Sequence, residues 1–231
     1  LLIISPLIKN LHRFHVKKRN EAIMLFIGDV HGDFQKYLNI TSLSNSSLQI
    51  GDTGVFRDSD IQNLPMNNKH KCFRGNHDNP NVYHNNPNAL SDYGYDNITE
   101  IFWMAGAYSI DFRQRTPTLD WWENEELSNK ELTKAVQLYS DTKPSIMTSH
   151  DCPNQIREVI FQQKKDNFYQ SNRTVQSLSV MFENYQPDIW IFGHHHYRID
   201  YKIGKTRFIG LNDNRGPVHE QIFEVKDSNW N

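Results

Sequence analysis

Short apolar runs recur along the chain, and each stops at a polar cluster: "AIMLFIG" at "DVHGD", "SLQIG" at "DTG", "KCFRG" at "NHDNP", "PSIMTS" at "HDCP" and "DIWIFG" at "HHHY". Continuous apolar runs bounded by glycine and polar residues are the pattern of strands buried on both faces. Between some of them the apolar positions fall at helical spacing. Phe34, Tyr37 and Leu38 follow a candidate N-cap at Asp33, and Val175, Leu178, Phe182 and Tyr185 form a second stripe. Strands alternating with helices predict an α/β sandwich, in which ligand sites gather at strand ends. Near the C-terminus "YRIDYKI" and "TRFIGLN" flank a Gly-Lys turn and predict a hairpin, and "EQIFEV" predicts a last strand. From about residue 79 to 143 the pattern weakens to an Asn-rich loop, a strand over "EIFWMAGAYSID", a polar and aromatic stretch, and a helix from about Ser128. This middle region is expected to be a substrate-facing insertion.

Composition narrows the picture. A length of 231 residues suits one domain with a substantial core. The 25 basic and 27 acidic residues leave a net charge of -2, which argues against holding nucleic acid mainly by electrostatics, and no stable nucleic-acid partner is expected. Cys72 and Cys152 make neither a disulfide framework nor the close pairs of a structural zinc site, and they read as buried thiols in a reducing, cytoplasmic setting. The apolar "LLIISPLI" precedes the basic "KNLHRFHVKKRN", the reverse of a secretory signal, and falls far short of the roughly 18 residues that cross a membrane. No membrane association is expected. Residues 1–23 are expected to lie outside a single domain over 24–231, with Met24, at the start of the first convincing strand, a candidate natural start.

Each polar cluster has an ordinary reading by itself: Asp29 and Asp52 as turn caps, Asn76 in a left-handed position, His150 as a hydrogen-bonded core histidine. Together they set Asp, Asn and His at five strand ends, a donor set suited to first-row metal ions. The ordered set "GDVHG", "GDTG", "GNHD", "SHD" and "GHHH", spanning residues 28–196, resembles the calcineurin-like metallophosphoesterase superfamily. The resemblance implies a four-layer α-β-β-α sandwich with mixed sheets. It also implies two divalent or trivalent metal ions, manganese first, with iron or zinc as alternatives. Asp29, His31 and His196 would bind one ion, Asn76, His150 and His194 the other, and Asp52 would bridge them. His77 would protonate the leaving group, with Asp78 orienting it. The implied reaction is hydrolysis of a phosphate ester by a bridging hydroxide on a dinuclear metal centre. The stretch "GAYSIDFRQRTPTLDWWENEELS" is similar to a segment of stand-alone bacterial and phage members.

The chain also departs from one branch of that superfamily. Its Ser/Thr protein phosphatases carry G-D-x-x-D-R-G, where "GDTGVFR" has Val55 and Phe56 in place of Asp and Arg, with Arg57 next door. That departure argues against a dedicated protein phosphatase. The candidates for substrate contact are Arg113 and Arg115, whose guanidinium groups can fork onto phosphate, and Trp121 and Trp122, whose indoles can stack on a base. Solvation of the arginines and packing of the tryptophans are the competing readings. A phosphomonoester or small nucleotide is the leading substrate class, ahead of a phosphodiesterase or nuclease with the same metal core. A non-catalytic scaffold would need neither Asp52, His77 nor the full histidine set. On an extended backbone alternate side chains share a side, so His194 and His196 are expected to face the metals, with His195 in a structural or solvent-facing role.

Overall fold

The computed structural model describes residues 22–65, 67–165 and 171–227. Residues 1–21, most of the expected N-terminal extension, lie outside the described residues. The first strand already begins at Ala22, so the expected boundary at Met24 falls inside it.

In chain order the strands are β1 Ala22–Ile27, β2 Ser47–Ile50, β3 His70–Phe73, β4 Tyr93–Asp96, β5 Ile101–Met104, β6 Ile146–Ser149, β7 Ile189–Phe192, β8 Ile199–Ile203, β9 Thr206–Gly210 and β10 Ile222–Asp227. The helices are α1 Phe34–Thr41, α2 Asp58–Ile61, α3 Pro80–Tyr83, α4 Asn129–Thr142, α5 Asn154–Lys164, α6 Arg173–Asn184 and α7 Val218–Gln221. One sheet has the order β10-β1-β2-β3 and the other β4-β5-β6-β7-β9-β8. Both are mixed: β1, β2 and β3 run parallel with β10 antiparallel, and β5, β6, β7 and β9 run parallel with β4 and β8 antiparallel.

Successive side chains of a strand point to opposite faces, and here both faces are buried. Phe26 faces a core shared by the two sheets while Leu25 and Ile27 face a second core with Tyr37 and Ile40 of α1. Ile191 joins the first of these, and its neighbours Trp190 and Phe192 pack under α4, α5 and α6 against Tyr139, Ile160 and Phe182. Three cores between four layers give the α-β-β-α sandwich. No helix of the described residues is long and apolar enough to cross a membrane.

Several local expectations change. Leu38 is exposed, and the buried side of α1 is Tyr37, Ile40 and Thr41. The strand expected over 100–111 stops at Met104: Ala105 turns its N–H to the Asp92 carbonyl, and Gly106, at a φ of 78°, bends the chain away. Within residues 79–143, β5 pairs inside the larger sheet and α4 packs on its core, so the part of that stretch facing the strand-end cleft is the loop around 109–115. α4 begins as expected, with Ser128 and Glu131 forming a capping box. The Gly204-Lys205 hairpin and the last strand, β10, also form where expected.

Candidate metal centre

The C-terminal ends of β1, β2, β3, β6 and β7 converge, and the loops that leave them carry the polar clusters. Tight approach depends on the glycines that precede four of the five clusters. A Cβ on Gly75 would overlap Asp52, and one on Gly193 would overlap the Asp29 carboxylate. His31, Asp52, His194 and His196 stand at φ of 45°, 54°, 63° and 47°, in the left-handed region. That conformation costs a residue with a side chain roughly 1–3 kcal/mol, and such strain collects at functional sites. The run 194–196 is therefore not an extended strand. His194 and His196 reach the cluster through left-handed turns of the backbone, and His195 points away from it.

Two donor groups share one residue. In the first, His31 Nε2 lies 3.0 Å from His196 Nε2, 3.7 Å from Asp29 Oδ2 and 3.9 Å from Asp52 Oδ2, and His196 Nε2 lies 3.0 Å from Asp29 Oδ2. In the second, His150 Nε2 lies 3.2 Å from Asp52 Oδ1 and 3.0 Å from Asn76 Oδ1. The donor atoms of Asp52, His150 and His194 lie within 4.8 Å of one another, as do those of Asp29, His31, Asp52 and His196.

The chemistry of these donors fits metal ions. Asp52 Oδ2 is buried and accepts no hydrogen bond, an arrangement that is costly without a cation. Burial opposes charge on both Asp52 and His150, yet their proximity holds Asp52 well below the carboxylate range and pushes His150 up to about 10. The field between them thus favours a positive charge. Burial pushes His194 down to about 3, which leaves a neutral ring with a lone pair to offer. Mixed carboxylate, amide and imidazole donors suit divalent first-row ions.

A second set of contacts orients the donors, and most of it lay beyond sequence reasoning. Asn76 Nδ2 donates to Ser109 Oγ at 2.9 Å, which turns Oδ1 toward His150. Ser109 is fixed in turn by Glu125, donating from N and Oγ at 2.7 and 2.6 Å, and burial pushes Glu125 up to about 6. His150 Nδ1 meets the Ile50 carbonyl at 3.0 Å. His196 Nδ1 lies 3.4 Å from buried Asp213. His195 sends Nε2 to buried Asp151 at 3.0 Å, which gives it a structural role. Asp78 does not orient His77. Its carboxylate accepts from the backbone N–H groups of Thr53, Gly54, Val55 and Gly75, tying the β2 and β3 loops together. The polar stretch after β5 was the one visible signal for Ser109 and Glu125.

A cleft of about 320 Å³ opens over the cluster. His77 lines it, with its N–H on Asp52 Oδ1 at 2.8 Å and its ring Nε2 3.8 Å from Oδ2. Burial and the neighbouring Arg115 hold the His77 ring below its ordinary range despite Asp52. Arg115 approaches both ring nitrogens, at 2.6 and 2.7 Å, while its other contacts go to the Asp111 carboxylate and the Asp120 carbonyl. A neutral imidazole has one acceptor nitrogen, so one of these two approaches is a hydrogen bond and the other is not. The other candidates for substrate contact lie elsewhere. Arg113 is exposed over the Phe112 ring, Trp121 packs against Phe112, and Trp122 is buried with its ring stacked on Phe56. Arg57 is exposed at the start of α2, and Arg74 is buried, forked onto Asp92.

The sequence profile of the calcineurin-like phosphoesterase family matches residues 23–198. No curated protein sequence matches the chain. Among solved structures, the fold is similar to a phosphopantetheinyl hydrolase from Mycobacterium tuberculosis, with a TM-score of 0.51 and 12% identity over 89% of this chain and 96% of that one. More distant likenesses are to an archaeal phosphodiesterase (TM-score 0.40, 12% identity, 88% and 99% covered) and to a phosphoesterase from E. coli (0.39, 10%, 85% and 85%). The profile match begins in β1 and runs past the last donor, His196, so it takes in the whole cluster. The chain belongs to the calcineurin-like phosphoesterase family and is a hydrolase of phosphoester bonds.

Proposed function

We propose that the protein hydrolyses phosphate esters on a two-metal centre, with a phosphomonoester of a small molecule or nucleotide as substrate. Manganese is the first metal to test, ahead of iron or zinc. The family implies divalent ions and a phosphorylated small-molecule substrate. The observation that carries the reading is Asp52, whose Oδ1 lies 3.2 Å from His150 while Oδ2 lies 3.9 Å from His31. One buried carboxylate thus turns an oxygen to each donor group. Asp29, His31 and His196 would hold one ion, Asn76, His150 and His194 the other, and Asp52 both. Ions so held supply positive charge against the phosphoryl oxygens and an activated water near neutral pH.

The remaining steps fall to the chain itself. His77, beside Asp52 in the cleft, would take up a proton once the anionic ester draws Arg115 off its ring, and would then hand that proton to the leaving oxygen. Arg115 would fork onto a phosphoryl oxygen, drawing away from His77 as it does so. A cleft of about 320 Å³ stands at the small end of the roughly 300–1,000 Å³ of ligand sites, which supports a small substrate over a polymer. The free, buried Cys72 and Cys152 support a reducing, cytoplasmic setting.

The test is hydrolysis of a chromogenic monoester and bis-ester by protein supplemented with manganese. The monoester is expected to turn over faster, and a chelator to abolish both activities. A strong preference for the bis-ester would reverse the order in favour of a phosphodiesterase or nuclease. Protein that binds no metal and cleaves neither ester would overturn the reading.

A further inference from the structure

The cleft wall beyond the donor cluster carries an aromatic ring with no part in the reaction just described. Phe161 of α5 lines the cleft half-buried. Arg157, one turn earlier and 2% exposed, sets its guanidinium 5.4 Å from the ring centroid, a cation–π contact that fixes the ring in place. The His195 ring meets Phe161 edge-on at 6.0 Å and stands 5.1 Å from the ring of the donor His194. Two ring-to-ring steps therefore lead from the metal donors to Phe161. From the opposite element, the loop after β5, Ile110 lines the same cleft while 56% exposed. Trp121 and Trp122, the aromatic residues expected to meet a base, both pack away from it.

We infer that this wall seats the base of a nucleoside monophosphate, the aromatic end of its nucleoside leaving group, on Phe161 and Ile110 while its phosphate lies at the donor cluster; this rests on the phosphoesterase reading above. The two steps, 5.1 and 6.0 Å between ring centroids, leave room for a sugar between a phosphate at the donors and a base on Phe161. An aliphatic alcohol at the same place would cover little of either side chain and would forgo stacking. Stacking on a ring face is tolerant of base identity, so the wall selects a base over an aliphatic chain without choosing among bases.

The test compares Phe161→Ala, Phe161→Tyr and Ile110→Ala with the unaltered protein, each checked for its melting temperature and manganese content. Binding of AMP and of inorganic phosphate is measured by calorimetry, and hydrolysis of AMP and glycerol 2-phosphate by phosphate release. Phe161→Ala is expected to weaken AMP binding and raise its KM about 10-fold, in the range of a lost base-stacking contact. Phosphate affinity and glycerol phosphate turnover should stay unchanged, Phe161→Tyr should behave as the unaltered protein, and Ile110→Ala should show a smaller AMP-selective loss. Equal losses on both substrates, or AMP bound no tighter than phosphate by the unaltered protein, would overturn the inference and leave the phosphoesterase reading standing. Metal-loaded protein that cleaves neither substrate would overturn that reading instead, with the AMP and phosphate affinities still deciding whether the wall binds a base.

Discussion

The donor cluster and the cleft wall share one edge of the sandwich but are held in opposite ways. Asp29, Asp52, Asn76 and His150 are each at most 1% exposed, and their partners come from other strand ends or distant loops. The wall is more open and leans more on neighbours close in sequence. Arg115 is forked onto Asp111 four residues earlier and meets His77, Phe161 lies under Arg157 four residues earlier and beside His195, and Ile110 is exposed. A group fixed from several directions keeps its geometry before anything binds, which is what charge stabilisation in a reaction requires. A group that stays partly exposed to the cleft can adjust to what it meets. On the function proposed above, the cluster is the part built for chemistry and the wall the part built for choice of substrate, and substitutions should separate the two.

The largest separation is expected at Asp52. Asn in its place offers one neutral oxygen where Asp turns an anionic oxygen to each donor group, so one ion would lose this ligand and the other would keep a weaker one. Turnover should fall on the order of 10⁴-fold or more, with metal content reduced, as measured by phosphate release and elemental analysis. Retained turnover would mean the two groups do not work through a shared carboxylate. Next in size is His77→Asn, expected to lower kcat roughly 10²- to 10⁴-fold with metal content unchanged. A fall in metal content there would move His77 from proton donor to support of the cluster.

How far the sequence discloses each region follows from the same difference. The cluster was legible because its donors sit in short polar runs directly after apolar strands, four of the five runs opening on a glycine, a pattern carried within a few residues of chain. Even there the reason differed from expectation for one pair: His194 and His196 share a side through left-handed backbone, which no alternation rule foresees. The resemblance implied Asp78 as a partner of His77, yet adjacent side chains need not meet, and four backbone N–H groups claim its carboxylate. The sandwich itself was legible from the buried runs. The wall was not, because α5 reads "NQIREVIFQQK", with Arg157 on its buried side breaking the apolar stripe. Ser109 and Glu125 escaped for a related reason, since Ser109 lies 33 residues from its partner Asn76 and 16 from its partner Glu125 and no periodicity links the three.

Ser109→Ala tests the far end of that support. It removes the acceptor that holds Asn76 Nδ2 and frees the amide to rotate, while leaving every donor in place. Outer partners of metal ligands commonly affect metal affinity or activity about 10- to 100-fold, and a loss of that size is expected here, read as a higher manganese concentration for half-maximal activity. An unchanged manganese requirement would show that Asn76 is held by packing alone.

The smallest effect sharpens the comparison from the wall. Arg113 and Arg115 are two residues apart and of equal charge, but only Arg115 lines the cleft. If its fork meets a phosphoryl oxygen, Arg115→Ala should raise KM about 10-fold, the size of a lost hydrogen bond to a charged group, with kcat within about 3-fold. The effect is held to that size because Asp111 already neutralises the guanidinium, so the substrate gains only the difference between two carriers of negative charge. Arg113→Ala should leave both constants within about 2-fold, since its guanidinium lies over Phe112 in solvent. Matching effects from the two substitutions would mean that overall positive charge near the cleft matters and the position of the fork does not. A fall in kcat with KM unchanged would instead tie Arg115 to His77, whose ring it touches at 2.6 Å, and would make it a positioning residue for the proton donor.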